Sequence, residues 1–134
     1  MGFEIIEHTA DVGIRCRGRT IEECFEQAAF GVLAINGAYV AGPGERDTIT
    51  LDAPDLGALL VDWLSEVIYL HDARDAIVTG LGVESIHDNA LSGWVEVRNR
   101  TGEIEGTAVK AITYHRLVVE RVDEGWEATF YVDV

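Results

Sequence analysis

Residues 20–37, TIEECFEQAAFGVLAING, predict an amphipathic helix whose two ends are both marked in the sequence. Thr20 and Glu23 form a capping box, in which the threonine side chain accepts a hydrogen bond from a backbone N–H of the first turn. Asn36-Gly37 predicts the end, because glycine readily adopts the left-handed conformation that closes helices. One face needs a partner layer, since its apolar positions recur at helical spacing: Ile21, Cys24, Phe25, Ala28, Ala29, Val32 and Leu33.

A second amphipathic helix is predicted after Pro54 and Asp55, which are typical residues for a helix start. Asp62 and Glu66 lie on its polar face, where like charges one turn apart are typical of a solvated surface. Its apolar stripe comprises Leu56, Leu59, Leu60, Trp63, Leu64, Val67 and Ile68. Two helices with one apolar face each therefore have to cover a common layer.

Seven segments with the composition and alternation of β-strands supply that layer. They are predicted at residues 3–7, 12–18, 47–52, 77–87, 91–98, 109–122 and 126–134. The later ones follow one another as hairpins, which favours antiparallel pairing. The predicted fold class is α+β, with two helices packed on a mostly antiparallel sheet. A chain of 134 residues suits a single domain, predicted to span residues 1–134.

Net charge restricts the partners of the chain. Asp and Glu number 24 against 10 Lys and Arg, which gives a formal net charge of −14. Direct nucleic-acid binding is not expected, because such binding depends on Lys and Arg that displace counterions from phosphates. Cations and basic protein surfaces are the partners that this charge attracts.

A cytoplasmic location without membrane contact is predicted. The N-terminus MGFEIIEH lacks the basic and apolar regions of a signal peptide, and Asp62 and Glu66 interrupt the longest apolar stretch. Cys16 and Cys24 fit neither a metal-ligand pattern nor a disulfide framework, so we interpret them as reduced core thiols.

The C-terminal segment ATFYVDV, residues 128–134, alternates up to its last residue and brings the Asp133 side chain beside the α-carboxylate of Val134. A three-residue hairpin loop at residues 123–125 would place His115 opposite Asp133, and a register shifted by one residue would place it opposite Val134. Two neighbouring carboxylates repel, and a hard cation would hold them together. The alternative is a solvated strand end.

Two further stretches carry polar residues whose roles stay open at this point. Glu7, His8 and Asp11 flank a tight connection between strands, where they either converge on a site or form an ordinary turn. Lys110 is the only lysine in the chain. It either discourages strand pairing at a sheet edge or places one positive charge among acids.

Four blocks together resemble the archease family: HTADVGI, LLVDWLSEVIYLHD, GTAVKAITYH and FYVDV, in the order and spacing of that family. The resemblance extends from residue 3 to residue 134. It implies an acidic accessory protein of the RtcB-type RNA ligase, a GTP- and manganese-dependent enzyme of tRNA splicing and RNA repair. In that role the chain promotes ligase guanylylation and repeated turnover without being the ligase.

The resemblance also implies a metal site formed by Asp11, Asp133 and the terminal residue Val134. Calcium is the first expectation for this oxygen-only ligand set, with magnesium or manganese as alternatives. His8, Lys110 and His115 match other motif positions and would line an acidic tip that enters the active-site region of the ligase. Two alternatives are a small metal-dependent hydrolase that uses His8, Asp11, His115 and Asp133, and a chaperone or adaptor with a structural ion.

Overall fold

Two antiparallel sheets and two helices make up the fold. A computed structural model describes residues 1–7, 11–102 and 105–134. Its elements are β1 (Gly2–Glu7), β2 (Val12–Gly18), α1 (Ile21–Asn36), β3 (Glu45–Asp52), α2 (Leu56–Asp72), β4 (Ala76–His87), β5 (Ala90–Asn99), β6 (Ala111–Val122) and β7 (Gly125–Asp133). The first sheet has the strand order β1-β2-β7-β6 and the second the order β3-β5-β4. The predicted α+β class is confirmed, and the predicted strand layer is divided between two sheets.

The helix ends form where their capping residues predict them. Thr20 Oγ1 accepts a hydrogen bond of 3.1 Å from the backbone N–H of Glu23 at the start of α1. At the other end Gly37 has a φ of 73°, and its N–H donates to the Leu33 carbonyl. An Asp55 carboxylate oxygen caps α2 in the same way by accepting from the N–H of Ala58 at 2.8 Å. These three helix ends are thus set by local hydrogen bonding.

Both helices contact both sheets, and the core lies around them. Trp63 of α2 is fully buried, and its indole N–H donates to the Phe25 carbonyl of α1 at 3.0 Å. Val61 and Leu70 are also buried although they lie outside the predicted stripe of α2. The reason is that α2 contacts β6 of the first sheet as well as β3 and β4 of the second. No helix among residues 1–7, 11–102 and 105–134 is long and apolar enough to cross a lipid bilayer.

The two cysteines lie in the core as free thiols, as predicted. Their sulfur atoms are 3.9 Å apart, between β2 and the first turns of α1. The hydrogen bond with the Cys24 sulfur, together with burial, raises the pKa of the Cys16 thiol above its ordinary value. A buried thiol that stays protonated is a poor nucleophile, so this pair belongs to the packing of the core.

The first sheet has one face in the core, and no helix of the described residues covers its other face. Along β7 the core side carries Ala128, Phe130 and Val132, each 0% exposed. Because successive strand residues point to opposite faces, Tyr131 and Asp133 lie on the other face, which we call the outer face. On β2 the outer face carries Gly13, Arg15 and Arg17 by the same alternation. This face positions the candidate site.

Candidate functional site

Two aspartates meet at one end of the first sheet. Val12 pairs with Val132 as the last pair of β2 and β7, and Asp11 and Asp133 lie immediately beyond it at the same end of the sheet. Ala111 of β6 pairs with Asp133 on the other side. We call Asp11, Asp133 and Ala111 the acidic row. Asp11 is half-buried and Asp133 is exposed.

Lys110 and Val134 lie at the same end of the sheet. The backbone N–H of Lys110 donates to the Asp133 carbonyl at 2.8 Å, which ties the segment before β6 to the end of β7. Val134 follows Asp133 directly and is exposed. Within the described ranges, neither Asp133 nor Lys110 forms a side-chain ion pair. Four residues singled out in the sequence therefore converge here: Asp11, Lys110, Asp133 and Val134.

His115 does not lie opposite the terminal acids, and both predicted registers were wrong. The hairpin loop has two residues, because Val122 pairs with Gly125. The pairing then breaks between Thr113 and Val118, where a bulge adds three residues to β6 relative to β7. Arg116, inside this bulge, has a φ of 55°. Counting back from the hairpin fails because it assumes an uninterrupted ladder.

The bulge directs His115 to a different partner. Its ring centroid lies 6.2 Å from that of Tyr131, with an angle of 59° between the rings. Tyr131 precedes Asp133 by two residues on the same face of β7, so His115 lies near the acidic row but not within it. His8 lies outside the described residues.

The residues of the hydrolase alternative do not form a metal cluster in the described part of the chain. The register brings Asp11 next to Asp133, whereas His115 lies by Tyr131. Among the described residues, no group of three or more His, Cys, Asp or Glu side chains could hold a metal ion. The acidic row by itself therefore offers two side-chain carboxylates.

A second row beneath the acidic row was not found from the sequence. Ile6, Gly13, Tyr131 and Thr113 pair in succession across the four strands, and we call them the tyrosine row. A Cβ atom built on Gly13 would stand 2.8 Å from Tyr131 Cε2, so the ring lies against the glycine. Tyr131 is only 9% exposed although neither α1 nor α2, the helices of the described residues, covers this face. Alternation could have placed Tyr131 on the face of Asp133, but the contact with Gly13 needs the register of two distant strands.

Two pairs of opposite charges lie on the outer face away from the acidic row. Arg15 donates to Glu4 at 2.6 Å, and Arg17 donates to Glu127. The Glu127 carboxylate also holds the pKa of the Arg17 guanidinium above its ordinary value. Among the described residues, Asp133 forms no ion pair, and neither does Glu120, which lies opposite Glu127 toward the other end of this face.

Comparisons with known proteins agree in one family. A sequence model of the Archease protein family (MTH1598/TM1083) matches residues 3–134. The archease of Methanosarcina mazei is 36% identical to this chain over 141 residues, covering 98% of the chain and 95% of the relative. The archease of Saccharolobus solfataricus is 39% identical over 136 residues, with 98% of each chain covered.

Solved structures give the same result for the fold. The solution structure of protein 1598 of Methanobacterium thermoautotrophicum aligns with a TM-score of 0.74 at 27% identity, covering 99% of each chain. A crystal structure of an archease and possible chaperone from Thermotoga maritima aligns with a TM-score of 0.67 at 24% identity. The second likeness concerns the fold alone. From the family match and the relatives above 30% identity, this chain belongs to the archease family.

Proposed function

We propose that this protein is a non-catalytic activator of an RtcB-type RNA ligase, with the acidic row as its working part. The observation that carries the proposal is the convergence of Asp11, Asp133, Lys110 and Val134 at one end of the first sheet. The chain belongs to the archease family, and the resemblance of its sequence blocks implies a GTP- and manganese-dependent ligase as its partner. The activator promotes ligase guanylylation and multiple turnover in tRNA splicing and RNA repair.

A divalent cation held by Asp11, Asp133 and the Val134 α-carboxylate is part of this proposal. Two aspartates at adjacent register positions repel one another unless a cation or solvent separates them. The resemblance to archeases implies that the terminal residue Val134 supplies the third charged ligand. Oxygen ligands alone suit calcium or magnesium and do not select zinc.

The surroundings of the acidic row fit such an ion. Thr113 Oγ1 is buried and has no hydrogen-bond partner among the described residues. Thr113 lies two residues along β6 from Ala111, on the same face. A buried hydroxyl without a partner is unusual, and a water molecule of a hydrated cation would satisfy it. The residues present therefore fit a hard, partly hydrated ion.

The activation mechanism that we propose is electrostatic. A net charge of −14 directs the protein toward a basic surface, and Asp133 is an exposed part of that charge that forms no ion pair with the described residues. Binding of this end to the basic nucleotide pocket of the ligase would favour the conformation that accepts guanylylation, provided that this conformation is bound more tightly. Lys110 and His115, at the rim of the site, would contact the ligase directly.

The test is multiple-turnover ligation of RNA ends by the cognate ligase with GTP and manganese, with this protein at a substoichiometric concentration. Wild-type protein is expected to accelerate turnover, whereas Asp133→Ala is not. The matched control is Asp52→Ala, which removes an exposed acid from the second sheet and is expected to activate like wild type.

Acceleration by neither wild type nor variant, with an active ligase, would reject the proposed function. Equal acceleration by wild type and Asp133→Ala would reject the acidic row as the working part. A loss of activation with Asp52→Ala equal to that with Asp133→Ala would show that net charge acts without a defined site.

A further inference from the structure

We propose that Tyr131 is a positioning residue for the acidic row, and that its ring can occupy its position only because residue 13 is a glycine. The inference rests on the proposed function, because it concerns how the carboxylates of that site are held. Tyr131 itself is not a ligand in this account. Its role is to fix the separation between β2 and β6, the strands that Asp11 and Lys110 directly precede.

The position of the ring follows from the register. Tyr131 lies on β7 between Gly13 of β2 and Thr113 of β6, one row below Asp133 on the same face. One edge of the ring lies against Gly13, at 2.8 Å from the position of a Cβ atom. The His115 ring, in the bulge of β6, lies at a centroid separation of 6.2 Å from it. The ring thus spans the two strands whose ends flank Asp133.

Only glycine leaves room for this arrangement. Contacts below 3.0 Å to a real Cβ atom are essentially never seen, so an alanine at position 13 would displace the Tyr131 ring or β2 itself. Asp11 directly precedes β2 and is two residues from Gly13, so that a shift of β2 moves the carboxylate. Displacements of this kind matter because metal affinity depends on how firmly the ligands are oriented.

The bulge of β6 completes the arrangement from the other side. It brings His115 against the ring instead of leaving that position to an ordinary ladder residue. The same strand begins at Ala111, beside Asp133, and Lys110 precedes it with its N–H bonded to the Asp133 carbonyl. A ring held between Gly13 and His115 therefore keeps both neighbours of β7 at fixed positions under the acidic row.

The chain contains a matched control for this inference. In the second sheet Trp94 lies against Gly82 of the neighbouring strand, and a Cβ atom on Gly82 would stand 2.7 Å from Trp94 Nε1. The contact has the same form, but it lies on a different sheet from the acidic row. Gly82→Ala consequently reproduces the steric clash of Gly13→Ala without disturbing β2 or β7.

The experiment is calorimetric titration of the full chain with Ca²⁺ alone, with melting temperatures measured in parallel. Tyr131→Leu and Gly13→Ala are each expected to weaken Ca²⁺ binding about tenfold, as changes to supporting residues of metal sites commonly do. The double variant is expected to lose no more than either single variant, because a smaller side chain at position 131 removes the clash. Tyr131→Phe keeps the ring and is expected to bind within about twofold of wild type.

Gly82→Ala and Phe130→Leu are the controls for a general loss of stability. Phe130 is the core-facing neighbour of Tyr131, and leucine is a smaller side chain. Both variants are expected to lower the melting temperature and leave Ca²⁺ affinity unchanged. If Tyr131→Leu does not fold, His115→Ala serves instead: it alters an exposed residue and is expected to weaken binding about threefold.

A Tyr131→Leu variant that binds Ca²⁺ as tightly as wild type would overturn the inference. Equal losses of Ca²⁺ affinity in Tyr131→Phe and Tyr131→Leu would also overturn it, because they would assign the effect to the hydroxyl group and not to the ring. A wild-type protein that does not bind Ca²⁺ would overturn the proposed metal site together with this inference. The wild-type titration therefore distinguishes the two failures.

Discussion

Tyr131 in the first sheet and Trp94 in the second are placed in the same way, but the charges beside them differ. Each aromatic ring lies against a glycine of the neighbouring strand, Gly13 in one case and Gly82 in the other. Over Trp94 lies the Arg46 guanidinium, 3.7 Å from the ring centroid. Beside Tyr131 lies the acidic row, whose Asp133 has no ion pair with any described residue.

The difference shows which part of the arrangement can bind a cation. Arg46 also forms an ion pair with Glu96 at 3.5 Å, so that the charges around Trp94 are already balanced. The packing of an aromatic ring against a glycine of the neighbouring strand therefore occurs in both sheets. What distinguishes the first sheet is uncompensated carboxylate next to that contact, and this excess of negative charge is what a divalent ion would neutralise.

The largest effect is expected from removal of both aspartates. Asp11→Ala combined with Asp133→Ala should weaken Ca²⁺ binding by about two orders of magnitude or more, because ligand charge sets the affinity of calcium sites. Calorimetric titration measures this loss. The unfolding free energy in urea should change little, since neither residue belongs to the core. Retained Ca²⁺ binding in the double variant would contradict the difference between the two sheets.

Installing an arginine in the acidic row should make it resemble the surroundings of Trp94. Ala111→Arg places a guanidinium in the exposed position opposite Asp133, where it can pair with the carboxylate. Ca²⁺ affinity should fall about thirtyfold, because a fixed cation competes with the ion for the same oxygens. Thr48→Arg, at an exposed position on β3, is the control and should leave Ca²⁺ affinity unchanged. Unaltered binding by Ala111→Arg would place the ion elsewhere.

Extending the chain tests the α-carboxylate separately from the side chains. Gly-Ser added after Val134 replaces that carboxylate with a neutral peptide carbonyl, and Ca²⁺ affinity should fall about tenfold through the loss of one charged ligand. The same two residues placed before Met1 are the control, with no expected change. If the C-terminal extension binds Ca²⁺ as tightly as wild type, the ion does not use the Val134 carboxylate.

The smallest effect is expected in the second sheet. Arg46→Ala removes the cation over Trp94 and should lower the unfolding free energy by about 0.5–1 kcal/mol, the usual strength of an exposed cation–π contact. Urea denaturation measures this change. Ca²⁺ affinity should stay the same. A lower Ca²⁺ affinity in Arg46→Ala would show that charges of the second sheet influence the acidic row.

Much of the fold follows from local chemistry in the sequence. Thr20, Gly37 and Asp55 mark helix ends because capping depends only on residues within the same turn. The strand ranges also agree with alternation to within a few residues at each end. The division into two sheets could not be predicted this way, since it depends on which distant strands pair.

In the candidate site, too, local sequence pattern was informative and long-range strand pairing was not predictable. Pattern and resemblance selected Asp11, Lys110, Asp133 and Val134, which lie at one end of the first sheet. Their roles in binding a metal or a ligase stay predictions. His115 was misplaced because nothing in the residues 114–117 marks a bulge, and the left-handed residue is Arg116, where glycine is the usual choice. The contact of Gly13 with Tyr131 was missed because it joins residues more than a hundred positions apart.

The central claim is that the acidic row, with the Val134 carboxylate, holds a cation. The most direct measurement is a crystal structure from crystals soaked with Ca²⁺, in a lattice that leaves Asp11 and Asp133 facing solvent. The account predicts one ion with oxygens of Asp11, Asp133 and Val134 at about 2.3–2.6 Å. No ion at that place, or an ion bound only elsewhere on the molecule, would contradict it.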